Sequence, residues 1–161
     1  MKQVRFTLPN NTDSKRPRLD LPNQYEKGRH DLSPIVYITS GKVQTALPQR
    51  AFVVLLDSGS THTMIKRTSL PHGAIPNKGA WRKTTTTNGT YSLSEFVIIK
   101  EVKFPEFGNM HIGSIKADIF DSPTCRYDVI LGRDLLERLG LKMDFHNHRM
   151  TWGERTIPMK P

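Results

Sequence analysis

The sequence predicts an all-β domain with one short helix in its C-terminal half. Short β-branched and apolar runs recur between turn signals from residue 34 onward. Phe52-Val53-Val54-Leu55-Leu56 is a continuous apolar run, the pattern of a strand buried on both faces, and Tyr127–Leu131 reads as a second buried strand. Helical spacing occurs at Arg133–Leu139, where Leu135, Leu136 and Leu139 share a face opposite Glu137 and Arg138 and Gly140 is placed to stop the helix.

The elements follow in order. Residues 1–33 read as a polar, basic tail or linker, because Pro9, Pro17, Pro22 and scattered charges break any periodicity. A domain is expected over 34–157, followed by a short tail at 158–161. Ile35–Thr39 is the first strand, and Val43–Leu47 is expected to return from the Ser40-Gly41 turn. Phe52–Leu56 runs straight into Asp57-Ser58-Gly59, with Thr63–Ile65 as a short strand beyond, and 66–80 reads as loop. Trp81–Thr87 and Thr90–Ile99 flank Asn88-Gly89, a strong hairpin signal. Val102–Phe107 and Ile112–Phe120 add two strands. Leu141–Phe145 and Arg149–Trp152 form a closing hairpin around His146-Asn147-His148.

Composition narrows the function classes. Lys and Arg number 24 against 15 Asp and Glu, a net charge of +9, which suits a phosphate-bearing or acidic partner such as nucleic acid. A solvated basic surface is the plainer reading, because no dense Lys/Arg block with interleaved aromatics occurs. The single cysteine, Cys125, allows neither an internal disulfide nor a cysteine zinc cluster and suits a reducing compartment, so a cytoplasmic location is expected. No apolar run has the ~18 residues of a membrane span. The first residues lack the apolar stretch of a secretory signal. No phosphate-cradling glycine loop is present, and neither a cofactor nor a metal is expected.

Asp57 carries the chemistry. An ionisable side chain directly after five apolar residues is a local conflict, since burying a lone charge is costly, and functional sites are where such conflicts are tolerated. Ser58 adds a hydroxyl, and Gly59 permits a tight turn and the close approach of a substrate backbone. On three residues alone, an ordinary turn is the better explanation of Asp-Ser-Gly.

A second motif changes that balance. Val53–Thr61 and Tyr127-Asp128-Val129-Ile130-Leu131-Gly132-Arg133-Asp134-Leu135-Leu136, in this order and about 70 residues apart, resemble the retropepsin-like aspartic proteases. The likeness is to those of Ty3/gypsy-type LTR retrotransposons and to Ddi1-type domains. The resemblance covers residues 34–157 and implies a closed β fold acting as a homodimer, each subunit giving one Asp-Ser/Thr-Gly. Physical chemistry agrees with a pair. Two carboxylates about 3 Å apart share one proton, so that one activates a water while the other polarises the peptide carbonyl. With one such motif in the chain, a twofold dimer brings two Asp57 side chains together.

The resemblance also assigns the neighbours. Ser58 would hydrogen-bond across the pair, Gly59 would receive the substrate, and Ser60 would orient the carboxylate. Ser60, Thr61, Thr87, Asn88 and Gly89 would contact an extended peptide or polyprotein, the last three in a flap hairpin. Ile130, Leu131, Gly132 and Arg133 would be structural. Thr61 stands where viral relatives carry the Asp that pairs with the Arg after the second glycine, so Asp134 or Asp128 is expected to serve Arg133 instead. The implied activity is an endopeptidase processing a retroelement polyprotein, within the cytoplasm or retroelement particles. The alternative is a catalytically silent dimerisation or peptide-binding module on the same fold. Trp81 and Trp152 are expected to be packing residues.

Overall fold

A computed structural model describes residues 32–40, 51–70, 73–86, 89–108 and 110–161. Two compact units divide at residue 30, and the described residues all belong to the second. The strand expected at Val43–Leu47, the hairpin tip at Thr87 and Asn88, and nearly all of the segment 1–33 lie outside the described residues.

Ten strands and one helix make up the described part: β1 Ile35–Ser40, β2 Phe52–Leu56, β3 Met64–Lys66, β4 Asn77–Thr86, β5 Gly89–Phe104, β6 Met110–Phe120, β7 Val129–Leu131, α1 Arg133–Leu139, β8 Lys142–Asp144, β9 Arg149–Trp152 and β10 Arg155–Pro158. Short 3-10 turns occupy Arg67–Ser69 and Pro105–Phe107. The large sheet runs β1-β2-β7-β3-β6-β5-β4, and β5 also pairs with β1. Six strands therefore close into a barrel, and β4 hangs on β5 as the outer arm of a hairpin. Closure removes the free edges that an open sheet would leave among these strands.

The long β5 makes closure work. Glu101 takes φ 51°, between the pairs Lys100–Ser114 and Val102–Ile112, and beyond this bend the strand reaches β1 through Thr39–Lys103 and Ser40–Val102. Val102–Phe107 is thus the end of β5 and a 3-10 turn, where a separate strand was expected. The core fills the barrel with alternate residues of each strand, including Val36, Ile38, Val54, Leu56, Ile65, Ile99 and Leu131. These residues are chosen by the period-2 rule, so a slip of one position would turn the core outward.

A second sheet, β10-β9-β8, packs on the barrel. Trp152 anchors it, edge-on to Phe104 at 5.0 Å and to Phe107 at 5.8 Å between ring centroids. Trp152 thus packs as expected, whereas Trp81 on β4 is 75% exposed. The closing hairpin forms as β8–β9, and the turn holds Asp144 as the acceptor of both the backbone and side-chain N–H of Asn147. The side-chain bond first, then the backbone one, keeps the Asp144 carboxyl below the usual carboxylate range.

The domain's limits are wider than 34–157. Ser33 and Lys160 exchange both backbone hydrogen bonds, Lys160 pairs with Glu106, and Met159 is 4% exposed within the core. The segment 158–161 is therefore packed structure rather than a tail. Its last strand, β10, pairs Arg155–Pro158 with β9, and only one side chain of this stretch, Met159, carries apolar burial beyond the strand. Met159→Ala is expected to lower stability by about 2–4 kcal/mol through the lost burial and the cavity left behind. Urea unfolding checks this, and an unchanged midpoint would return 158–161 to a tail.

Candidate active site

Asp57 sits where three strands meet. β2 runs parallel to β7, with Val54–Val129, Leu55–Ile130 and Leu56–Leu131 in register. Asp57 extends this ladder by one bond, its N–H donating to Leu131 O at 2.9 Å. The chain then loops through 57–63 and returns as β3, antiparallel to β7 on its other side. The loop must therefore cross the end of β7, and the residue it crosses is Gly132.

That crossing leaves no room for a side chain. A Cβ on Gly132 would lie 2.5 Å from both the carbonyl carbon and oxygen of His62 and 2.9 Å from its nitrogen. These are backbone atoms, which cannot swing away as a side-chain tip can. The loop is tied on both sides of the contact. Gly132 N–H donates to Thr63 Oγ1 at 3.2 Å, Arg133 N–H to Ser60 O at 2.9 Å and Asp134 N–H to Thr61 O at 3.3 Å. The Asp134 carboxylate receives Thr63 N–H at 3.1 Å and the Thr63 hydroxyl at 2.8 Å. Thr63 is 2% exposed, so these bonds are made out of water and satisfy a polar group that burial would otherwise penalise.

Within the loop, Gly59 N–H donates to Asp57 Oδ1 at 2.8 Å and Ser60 N–H to Asp57 O at 3.1 Å. A Cβ on Gly59 would come within 3.1 Å of that same carboxylate oxygen. The carboxylate is thereby aimed by backbone. Asp57 is half-buried, while Ser58, Gly59 and Thr61 are exposed. The site is a rigid floor with an open top.

The residues picked from the sequence divide accordingly. Asp57, Ser58, Gly59, Ser60, Thr61, Ile130, Leu131, Gly132 and Arg133 fall together at this crossing. Two assignments change. The Ser60 hydroxyl donates to His62 O at 2.8 Å and braces the loop, leaving Gly59 N–H to orient Asp57. The carboxylates expected to serve Arg133 are engaged elsewhere: Asp134 with Thr63, and the buried Asp128 with Val53 N–H at 2.9 Å and the Ser69 hydroxyl at 2.5 Å. Arg133 holds the loop through its backbone N–H, with its residue exposed. Thr63, and the bonding of Asp134 to it instead of to Arg133, are what sequence reasoning missed. The two residues lie 71 positions apart with no periodic signal joining them, and only the loop crossing brings them together.

The expected hairpin forms between β4 and β5, with Thr86 paired to Gly89 and Thr85 to Thr90. Thr87 and Asn88 lie outside the described residues. At the other end of the hairpin, Arg67 spans Glu95 of β5 at 2.6 Å and Asp121 at 3.0 Å. These contacts are largely exposed and so are worth little individually.

Comparison with known proteins agrees with the geometry. The family model described as aspartyl protease matches residues 43–135, more than half of the chain, and the chain belongs to that family. Among solved structures, the retroviral protease-like domain of Ddi1 from Leishmania major is similar at 16% identity and a TM-score of 0.51, over 81% of this chain and 95% of that one. At that identity the likeness speaks for the fold: a retropepsin-like, mostly-β barrel with one helix. No curated protein matches the sequence. No helix among the described residues is long and apolar enough to cross a membrane.

Gly132→Ala tests the crossing directly. The added methyl must displace the His62 backbone, so a stability loss of about 1–3 kcal/mol or more is expected. Thermal unfolding reads it, and a variant as stable as the wild type would mean that the loop does not cross Gly132 at this distance.

Proposed function

We propose that this chain is an aspartic endopeptidase, active as a homodimer, in which two Asp57 carboxylates activate a water to hydrolyse a peptide bond. One observation carries the proposal. Asp57 is aimed by backbone on a rigid loop, yet the motif beside it is exposed, and the chain holds a single copy. An isolated carboxylate has no partner to share a proton with. A second copy placed by a twofold axis supplies one, and it covers the open top of the site as well.

The chemistry then follows from the pair. At close approach both carboxylates cannot ionise, so the dyad keeps one proton over its working range. The ionised member takes a proton from water, and the protonated member donates to the carbonyl oxygen as the tetrahedral species forms. Ser58, exposed at the same tip, would bond across to the partner's loop. The peptide would lie extended between the floor and the β4–β5 hairpin, held by backbone hydrogen bonds, with Ser60, Thr61, Thr87, Asn88 and Gly89 along its path. The substrate in this reading is a retroelement polyprotein, processed in the cytoplasm or in retroelement particles. The net charge of +9 would suit a nucleic-acid-rich setting.

Cleavage of a peptide library between about pH 4 and pH 7 is the test. Wild type is expected to show a bell-shaped profile, falling at low pH as both carboxyls protonate and at high pH as both ionise. Asp57→Asn should lose at least about 10²–10⁴-fold in rate at every pH. Equal cleavage by both would leave a silent binding module in place of an enzyme.

A further inference from the structure

The strand registers lay out a continuous row across the sheet. Leu55 pairs with Ile130, Ile130 with Met64, Met64 with Asp118, Asp118 with Phe96, and Phe96 with Asn77. Directly paired residues stand on the same face of a sheet. Their neighbours along each strand, Leu56, Leu131, Ile65, Ile119 and Val97, are buried in the barrel core. The row therefore occupies the opposite face. Asp57 follows Leu55 by two positions and continues the ladder through its bond to Leu131, so alternation puts its side chain on the face of the row.

Four members of the row are apolar, Asn77 at the edge is a neutral amide, and one member is charged. Asp118 is 7% exposed, in a line otherwise formed by Leu55, Ile130, Met64 and Phe96 up to Asn77 at the edge. Its ion pair is with Arg82 of β4, Nη1 to Oδ2 at 3.6 Å, longer than a hydrogen bond. The Arg82 side chain is 42% exposed and comes from the outer arm of the hairpin. A buried carboxylate needs a cation far more than a half-exposed guanidinium needs this anion. The pairing is thus lopsided: Arg82 can leave for water at little cost, whereas Asp118 is then left buried without its cation, a place that another positive group can take.

We infer that Asp118 is a specificity-determining residue, the charged end of a side-chain pocket that selects a lysine or arginine of the peptide, with Arg82 filling the place when no substrate is bound. This rests on the reading of Asp57 as the catalytic carboxylate. Distance favours a long basic side chain. Asp118 lies three strands from Leu55, about 14 Å away at about 4.8 Å per strand, and an extended peptide advances about 3.3 Å per residue. The residue that reaches it stands a few positions from the scissile bond. Its hydrocarbon stem would lie along Met64 and Ile130, and its charge would end at Asp118. An acidic side chain would meet a buried like charge, and an uncharged one would leave Asp118 to Arg82.

The experiment uses a peptide that wild type cleaves, remade with lysine, norleucine or glutamate at each of the positions flanking the scissile bond. Norleucine keeps the length of the lysine stem without its charge. At one flanking position, wild type should prefer lysine to norleucine in kcat/KM, and both to glutamate. Asp118→Asn should reduce the lysine-to-norleucine ratio at that position by at least about tenfold. Arg82→Gln, which removes the competing cation, should raise it. Each ratio is taken within one protein preparation, so partial unfolding cancels, and if Asp118→Asn fails to fold, the wild-type and Arg82→Gln ratios decide. Cleavage with no lysine preference at any position, or a ratio unmoved by either variant, overturns the inference and leaves the protease reading intact. A wild type that cleaves no peptide overturns both.

Discussion

Everything at the candidate site depends on the approach of the His62 backbone to Gly132. The loop after β2 has to return on the far side of β7 to become β3, and it can do so only where β7 ends in a residue without a side chain. That contact sets the height of the loop above the sheet. The hydrogen bonds from Gly132, Arg133 and Asp134 then fix its position along the strand and the start of α1. Asp57 inherits its placement from this arrangement. Its N–H is the last bond of the β2–β7 ladder, and its carboxylate is oriented by the loop's own amide at Gly59. The carboxylate is positioned by covalent geometry and backbone bonds, which do not rearrange cheaply, rather than by flexible side chains.

This dependence explains which parts were legible in the sequence. β2 and β7 read clearly as strands from their apolar runs, but burial on both faces is not what forms. Phe52, Val54, Leu56, Val129 and Leu131 are buried, while Val53, Leu55 and Ile130 between them are half-buried. α1 reads clearly because Leu135, Leu136 and Leu139 recur at helical spacing before Gly140. The two motifs that carried the resemblance, at Asp57 and at Gly132, are the two halves of the crossing. What stayed hidden depends on contacts distant in sequence. Asp134 and Asp128 each look like free carboxylates near Arg133, yet one is drawn to Thr63 by the loop crossing and the other to Val53 and Ser69 by strand pairing. β10 and Met159 were missed because the end of the chain is short and polar in pattern, and it is held mainly by backbone pairing to β9 and Ser33. The residue type of Trp81 suggests packing, but it lies on β4, the hairpin arm outside the barrel, and is largely exposed.

The barrel and the site answer to different requirements. The barrel interior is closed and apolar, and its members are interchangeable so long as volume and alternation are kept. The other face of the same strands is mixed: half-buried Leu55 and Ile130, buried Met64 and Asp118, and the exposed tip of the Asp57 loop. One sheet thus has a face that holds the fold and a face that carries Asp57. In the proposed enzyme a second copy of the chain meets this face at Asp57 and a peptide lies along the row.

The dependence of activity on protein concentration tests this most directly. Specific activity, measured by cleavage over a dilution series with the association state followed in parallel by sedimentation, should track the fraction of dimer and vanish in the monomer. A monomeric chain that cleaves with undiminished specific activity at every dilution would contradict the central claim that two copies make one site.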